Sequence, residues 1–278
     1  MPWEYTEEYY REYTHTTWNE SAEAYVEVMR YLEPFRSALV SRLQAKGGEK
    51  ILDIGTGPGE PAMTIAREVG PHGHVTGVDL SENMVGIASR VAQARGLQNV
   101  EFVPMDCSAL TFPDDSFDAV VSSFGFQIFT DPEKAAREAH RVLRGRGRIC
   151  VSVWSTGDRV PFLDAIIAPM LENAEPDENG YIPTPYETGG PGEMVDFLEK
   201  AGFRDAQESR IQGVVPVASE DAYFQNMLKG TPIGHSLLEE DPEVQKEVLR
   251  KTRENLKKWQ TTKGLAIPAE CVVVWASK

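Results

Sequence analysis

No apolar run in these 278 residues approaches the ~20 needed to cross a bilayer, so insertion into a membrane is not expected. The first residues, Met1-Pro2-Trp3-Glu4-Tyr5, are acidic and aromatic where a secretory signal is basic and then apolar. A cytoplasmic location is the expectation. Cysteine is scarce: Cys107, Cys150 and Cys271 are odd in number and widely spaced, which argues against a disulfide framework or a zinc site and for buried thiols in a reducing compartment. No metal is expected. Basic residues are also short, 28 against 43 acids, and the formal charge of -15 repels phosphate backbones. Nucleic acid is therefore not an expected partner, whereas a neutral or cationic small molecule is compatible with that field. Internal repeats and low-complexity tracts are absent as well. The length suffices for a full core, and one large domain with a helical accessory layer is the expected organisation.

Against these absences stands the stretch from Lys50 to Pro61. Ile51, Leu52 and Ile54 read as a short buried strand that carries an acid, Asp53, near its end. Gly55, Gly57 and Gly59 then allow a sharp turn and the close approach of a ligand that any side chain would push away. Pro61 suits the first turn of a helix. A polar ligand at such a strand-to-helix crevice is expected to meet free backbone N–H groups. Dinucleotide binding calls for a third glycine where Glu60 stands, which weakens an oxidoreductase reading, and the Gly-Lys-Ser/Thr of a phosphate loop does not follow. The remaining pattern, Asp-x-Gly-x-Gly-x-Gly, resembles motif I of the class I S-adenosylmethionine-dependent methyltransferases.

Further along, His74–Asp79, Val100–Asp106 with its exit, Ser116–Ser123 and Arg148–Trp154 read as strands, each separated from the next by a helical pattern or a loop. Alternation of this kind implies a Rossmann-like α/β fold, a mostly parallel sheet with helices on both faces. Asp79 closes the second strand about two dozen residues beyond Gly55, as in nucleotide-binding sheets of this plan. The Val-Glu-Phe…Asp run to Asp106 resembles the third motif of the same methyltransferases, and Phe-Asp-x-Val-Val with Arg-Val-Leu resembles their UbiE-like small-molecule branch. That resemblance covers about residues 36–154 and implies seven strands, the last two being Ile211–Val217 and Glu270–Trp275, one of them antiparallel.

The resemblance also implies a cofactor, S-adenosyl-L-methionine, and a set of contacts. Asp53 would face its ammonium, Asp79 the ribose hydroxyls, Met84 the adenine face, and Asp106 with the Cys107 N–H the adenine edge. Gly55, Thr56, Gly57, Leu80 and Ser123 complete the expected cofactor set. Simpler readings stand beside two of these, Asp79 as a helix cap and Met84 as core packing.

Residues 1–33, rich in aromatics, read either as a helix pair packed on the domain or as a lid over the acceptor, with Tyr9, Tyr13, Trp18 and, from the fourth strand's exit, Phe126 lining the acceptor pocket. Phe35, Leu39 and Leu43 form a helix that Gly47-Gly48 should end, and Arg144–Gly147 should form a turn. A long exposed loop is expected over residues 173–193, and residues 220–264, with the stripe Val244, Val248, Leu249, Leu256 and Trp259, read as a helical cap on the acceptor site or as a surface helix. An acceptor that must lose a proton needs a base, and His15 in the lid and His235 in the cap are the candidates by residue type. The expected activity is in-line methyl transfer to an oxygen, nitrogen or carbon of a small molecule. A cyclase-like protein that binds the cofactor without methylating is the main alternative.

Overall fold

The computed structural model describes residues 7–174 and 184–278, with side chains from residue 12 onward. Five parallel strands form its first half: β1 (Lys50–Ile54), β2 (His74–Asp79), β3 (Val100–Pro104), β4 (Phe117–Ser123) and β5 (Leu143–Trp154). Two long strands, β6 (Arg204–Val217) and β8 (Gly264–Ser277), extend the sheet, and the short β7 (Gln260–Thr261) pairs with the start of β8. The order is β3-β2-β1-β4-β5-β8-β6, with β8 antiparallel to both its neighbours. This is the expected Rossmann-like sheet, lengthened by one small hairpin strand. Ile51, Leu52 and Ile54 are fully buried, as a central strand covered on both faces requires.

Helices α3 (Ala62–Val69), α4 (Glu82–Ala94) and α5 (Pro132–Val142) connect the parallel strands. Their starts follow side-chain chemistry. Ser81 caps α4 by accepting from the Met84 N–H, and Asp131 caps α5 by accepting from the Lys134 N–H, with Pro132 in the first turn. Pro61 sits at the cap of α3, immediately before its first helical residue.

Four local expectations are corrected. Residues 7–31 form one unbroken helix, α1 (Glu7–Tyr31), because no glycine or proline interrupts it; Pro34 then starts α2 (Glu33–Leu43). Helix α2 ends before Gly47-Gly48, at Gln44 in the left-handed region, where Arg148 donates to the Leu43 and Gln44 carbonyls (2.7 and 3.0 Å) and grips Glu49. Arg144–Gly147 lie inside β5 as an irregularity: Phe117 pairs with Leu143, and the next pair is Ala119 with Arg148. Of the loop expected over 173–193, the described residues 184–192 form no helix or strand, up to the start of α7 (Glu193–Lys200), but they are not exposed throughout: Gly189 and Gly190 are buried, Gly189 against the end of β5.

Helix α6 (Pro161–Leu171) is buried on nearly every face, through Phe162, Leu163, Ile166 and Ile167 among others, and so shows no amphipathic period. The insertion forms α8 (Glu220–Gly230), α9 (Pro232–Glu239) and α10 (Pro242–Leu256). Val248 and Leu256 of its apolar stripe are buried, while Val244, Leu249 and Trp259 are half-buried against the core. Helices α8 and α9 pack on α1, and α10 packs on α6. Among the described residues no helix is long and apolar enough to cross a membrane.

Phe35 joins α2 to the sheet. It is fully buried, edge-on to Trp154 (5.3 Å) and Phe124 (6.5 Å), and its ring lies where a side chain at Gly213 would have to go. Phe35→Ala is expected to cost about 3–5 kcal/mol in urea unfolding, a loss that a merely peripheral aromatic would not produce.

Candidate active site

The carboxyl ends of β1, β2, β3 and β4 converge on one cleft, open to solvent and roofed by α1, whose empty space together with the solvent at its mouth is about 810 Å³. The glycine turn forms its floor, with Gly55 at φ +70° and Gly57 at φ +54°, both in the left-handed region. A side chain at Gly55 would collide with Phe129, 2.9 Å from the position of its Cβ.

The turn does not offer the free N–H groups that its sequence promises. The Gly55 and Thr56 N–H groups donate to the Val78 carbonyl, Gly59 donates to Thr56, and Gly57 donates to Asp79 Oδ2 (2.8 Å). These four donors are engaged inside the protein. A pyrophosphate would find no nest of amides here, which counts against a dinucleotide.

Asp79 stands at the centre of the wall. Its Oδ2 accepts from Gly57 and its Oδ1 from the Ser81 N–H (3.0 Å). A carboxylate has about four lone-pair directions, so two remain for a ligand's hydroxyls. Burial pushes this carboxyl above its ordinary range, opposed by the two amides. Asp106 lies across the cavity and accepts from the Ser108 N–H (2.8 Å).

Most of the expected cofactor residues meet on this cavity: Gly55, Gly57, Asp79, Leu80, Met84, Asp106, Cys107 and Ser123. Burial and Asp106 push the Cys107 thiol far up, so it stays protonated. Asp53 and Thr56 are elsewhere. Asp53 is 0% exposed beneath the turn, where the Thr56 hydroxyl donates to its Oδ2 (2.7 Å) and its Oδ1 is buried without a hydrogen bond. Asp53 is thus not among the described lining residues, and it holds the turn from below through Thr56.

From α1 the cavity receives Thr14, His15, Trp18 and Tyr25. His15 Nε2 lies 2.9 Å from Glu82 Oε2, at the cavity rim. Tyr13, on another face of the helix, bonds Ser236 Oγ (2.9 Å), and His235 lies on that outer side, its Nδ1 3.6 Å from Glu20. Phe126 is buried between Phe129 and Phe197 in the core beneath. Tyr13, His235 and Phe126 are thus not among the described lining residues, nor is any residue of 220–264; those helices brace α1 from behind. The side chain of Tyr9 lies outside the described residues. Sequence reasoning misses Tyr25, although it follows Trp18 by two helical turns and so shares its face. Phe124 opens the β4 exit, Phe124–Phe129, which the sequence sets beside the transferred methyl, and in place of the expected Phe126 it lines the cavity. Its φ of +60° is rare for a non-glycine residue and turns its ring toward Trp154 at 4.4 Å, beside the cavity.

Known proteins bear on this cleft directly. Residues 51–147 match the family model described as a methyltransferase domain. Over 117 residues the chain is 44% identical to the demethylmenaquinone methyltransferase of Thermus thermophilus, which covers 42% of this chain and 52% of that protein. The chain thus spans about half the length of that relative. Its counterpart in Bacteroides fragilis is 28% identical over 194 residues, covering 66% of this chain and 74% of that protein. A solved S-adenosylmethionine-dependent methyltransferase from Aquifex aeolicus shares the fold with a TM-score of 0.51 at 21% identity, over 88% of this chain and 91% of that one.

Sheet order and family match agree: residues 51–147 are similar to a methyltransferase domain, and the fold is one shared with a solved S-adenosylmethionine-dependent methyltransferase. Both curated relatives carry the name demethylmenaquinone methyltransferase.

The buried acid under the turn makes a prediction. Burial raises Asp53 from 3.8 to about 7, against the Thr56 hydroxyl and the Ala62 amide, with Asp79 and Glu60 adding to the rise. The folded state therefore binds a proton that the unfolded chain has released between those two values, and this site's contribution to stability falls as pH rises from about 4 to about 7, by about 4 kcal/mol. Asp53→Asn removes that dependence. Its melting temperature relative to the native chain should improve from pH 5 to pH 8; a constant difference across that range would contradict the assignment.

Proposed function

We propose that this chain transfers the methyl group of S-adenosylmethionine to a neutral or cationic small molecule held beneath α1. The observation that carries the reading is the opening of Asp79 and Asp106, from the ends of neighbouring strands, onto one cavity. The donor set fits an adenosyl group: a carboxylate with two free lone-pair directions for a diol, a second acid for an amino group, and glycines where side chains would intrude. When bound, the cofactor supplies a methyl on a sulfonium, displaced in line by the acceptor's nucleophile.

Each residue then has a physical task. Asp79 holds the ribose hydroxyls, Asp106 and the Cys107 N–H the adenine edge, and Met84 packs on the ring. Trp18, Tyr25 and Phe124 exclude water and bound the acceptor, so positioning and desolvation do most of the chemistry. His15 Nε2 lies 2.9 Å from Glu82 Oε2 and 3.0 Å from Asn19 Nδ2, and in the tautomer that donates to Glu82 its Nδ1 would be left to take a proton from the acceptor. The described cavity lining holds three aspartates and no lysine or arginine, which disfavours phosphorylated or carboxylated acceptors. An aromatic wall suits a planar ring, and the quinone-type acceptor in the relatives' names agrees with it. Action in the cytoplasm is part of the same proposal.

Incubation with methyl-labelled cofactor and a metabolite extract should yield a product heavier by one methyl; unaltered metabolite masses would overturn the activity. In titration calorimetry with S-adenosylhomocysteine, Asp79→Ala should weaken binding by about 1.5–3 kcal/mol, the order of a charged hydrogen bond. For the acceptor side, Trp18→Ala should raise KM for the identified acceptor severalfold. Unchanged KM and kcat would remove Trp18 from the pocket.

A further inference from the structure

One residue of α1 reaches the cofactor wall without lining the cavity. Asn19 Oδ1 accepts from Ser81 Oγ (2.6 Å) and from the Asn83 N–H (3.2 Å), and the Asn19 carbonyl accepts from Asn83 Nδ2 (3.0 Å). Ser81 Oγ in turn caps α4, and the Ser81 N–H donates to Asp79 Oδ1. Asp79 Oδ2 receives the Gly57 N–H. The contacts form one chain, from α1 through Ser81 to the acid at the end of β2 and on to the glycine turn.

A second contact closes the clasp. Asn19 Nδ2, 3.0 Å from His15 Nε2, donates to Glu82 Oε2 (3.3 Å), the same oxygen that lies 2.9 Å from His15 Nε2. One side chain therefore acts as acceptor for the start of α4 and as donor to its first-turn acid. The same helix face places Trp18 over the cavity one residue before, and Tyr25 two turns further on. On its other side α1 is fastened to the insertion, where Gly230 leaves no room beside Val28 and Ala24 and Asn226 Nδ2 donates to Tyr31 (2.6 Å).

We propose that Asn19 is a positioning residue for the cofactor: it links the seating of α1 to the orientation of the Asp79 carboxylate, so that closure of the roof and adenosyl binding are a single coupled equilibrium. The inference rests on the assignment of this cleft to the adenosyl group. Coupling is reciprocal, so whatever Asn19 contributes to cofactor affinity, the cofactor returns as order in α1. Couplings of this kind change affinity by about five- to 150-fold.

Calorimetry with S-adenosylhomocysteine, paired with hydrogen exchange of the α1 peptides with and without it, tests this. In the native chain the ligand should slow exchange across residues 14–25 as well as around Asp79. Asn19→Ala should bind about tenfold more weakly and lose most of that ligand-induced protection in α1. A purely structural role would lower the melting temperature and leave the protection intact. Asn19→Asp keeps the acceptor but sets two carboxylates together, and should also bind weakly. Adding Glu82→Gln to it restores a donor–acceptor pair with the roles exchanged and should recover affinity. That rescue decides the matter if Asn19→Ala folds poorly. Native-like affinity and α1 protection in Asn19→Ala, or no recovery in the double variant, would overturn the coupling alone. Absence of heat with the native chain would instead overturn the cofactor assignment, and this inference with it.

Discussion

Two backbone amides on one carboxylate hold the working end of this protein together. Gly57 and Ser81 both donate to Asp79, so the turn after β1 and the helix start after β2 are fixed at one point. Charge-assisted bonds of this kind are stronger than neutral ones. They also leave half of the carboxylate's accepting capacity facing the cavity. The turn's own amides, by contrast, are engaged with β2 and with the turn itself. What the cleft offers a ligand is acceptors and apolar walls, suited to hydroxyls and a positive centre and ill-suited to phosphate.

Around that point the helices divide the labour. Helix α1 is the roof, and one face of it supplies His15, Trp18 and Tyr25 to the cavity. Its opposite side rests on α8 and α9, through Tyr13 with Ser236 and through the close approach of Gly230. The insertion that reads as a cap in the sequence thus acts one layer out, giving α1 a surface to bury its second apolar stripe. A long helix with polar residues on most positions gains its stability from such packing more than from propensity.

Much of the architecture is legible in the amino-acid sequence. The β1 and β2 strands, the glycine turn and the Asp131 cap with Pro132 are short-range signals: period, turn residue, cap and strand-end acid, whereas the antiparallel strand near the end is implied by the resemblance alone. The acid-lined wall of the cleft follows because Asp79 and Asp106 sit at strand ends, and parallel strands must bring their carboxyl ends to one edge. Less is legible where side chains compete for a partner. Asp53 has the look of a ligand residue, yet its position in the strand points it beneath the turn to Thr56. Gly47-Gly48 has the look of a helix stop, yet Arg148, a hundred residues on, ends α2 earlier. Helix α6 gives no period because the core encloses it.

The amino-acid order alone decided the alternation of strands and helices and the acids at the ends of β1 and β2, because these depend on contacts among residues a few positions apart and on a parallel sheet's geometry. Folding in three dimensions decided which aromatic and which histidine reach the cavity. Tyr13 and Trp18 are equally aromatic, and His15 and His235 equally basic, so residue type does not separate them. The rotation of α1 does, and it is set by which of its stripes meets α4 and which meets α8 and α9. That choice is made by the packing of segments some two hundred residues apart, a distance over which no local pattern in the chain has any say.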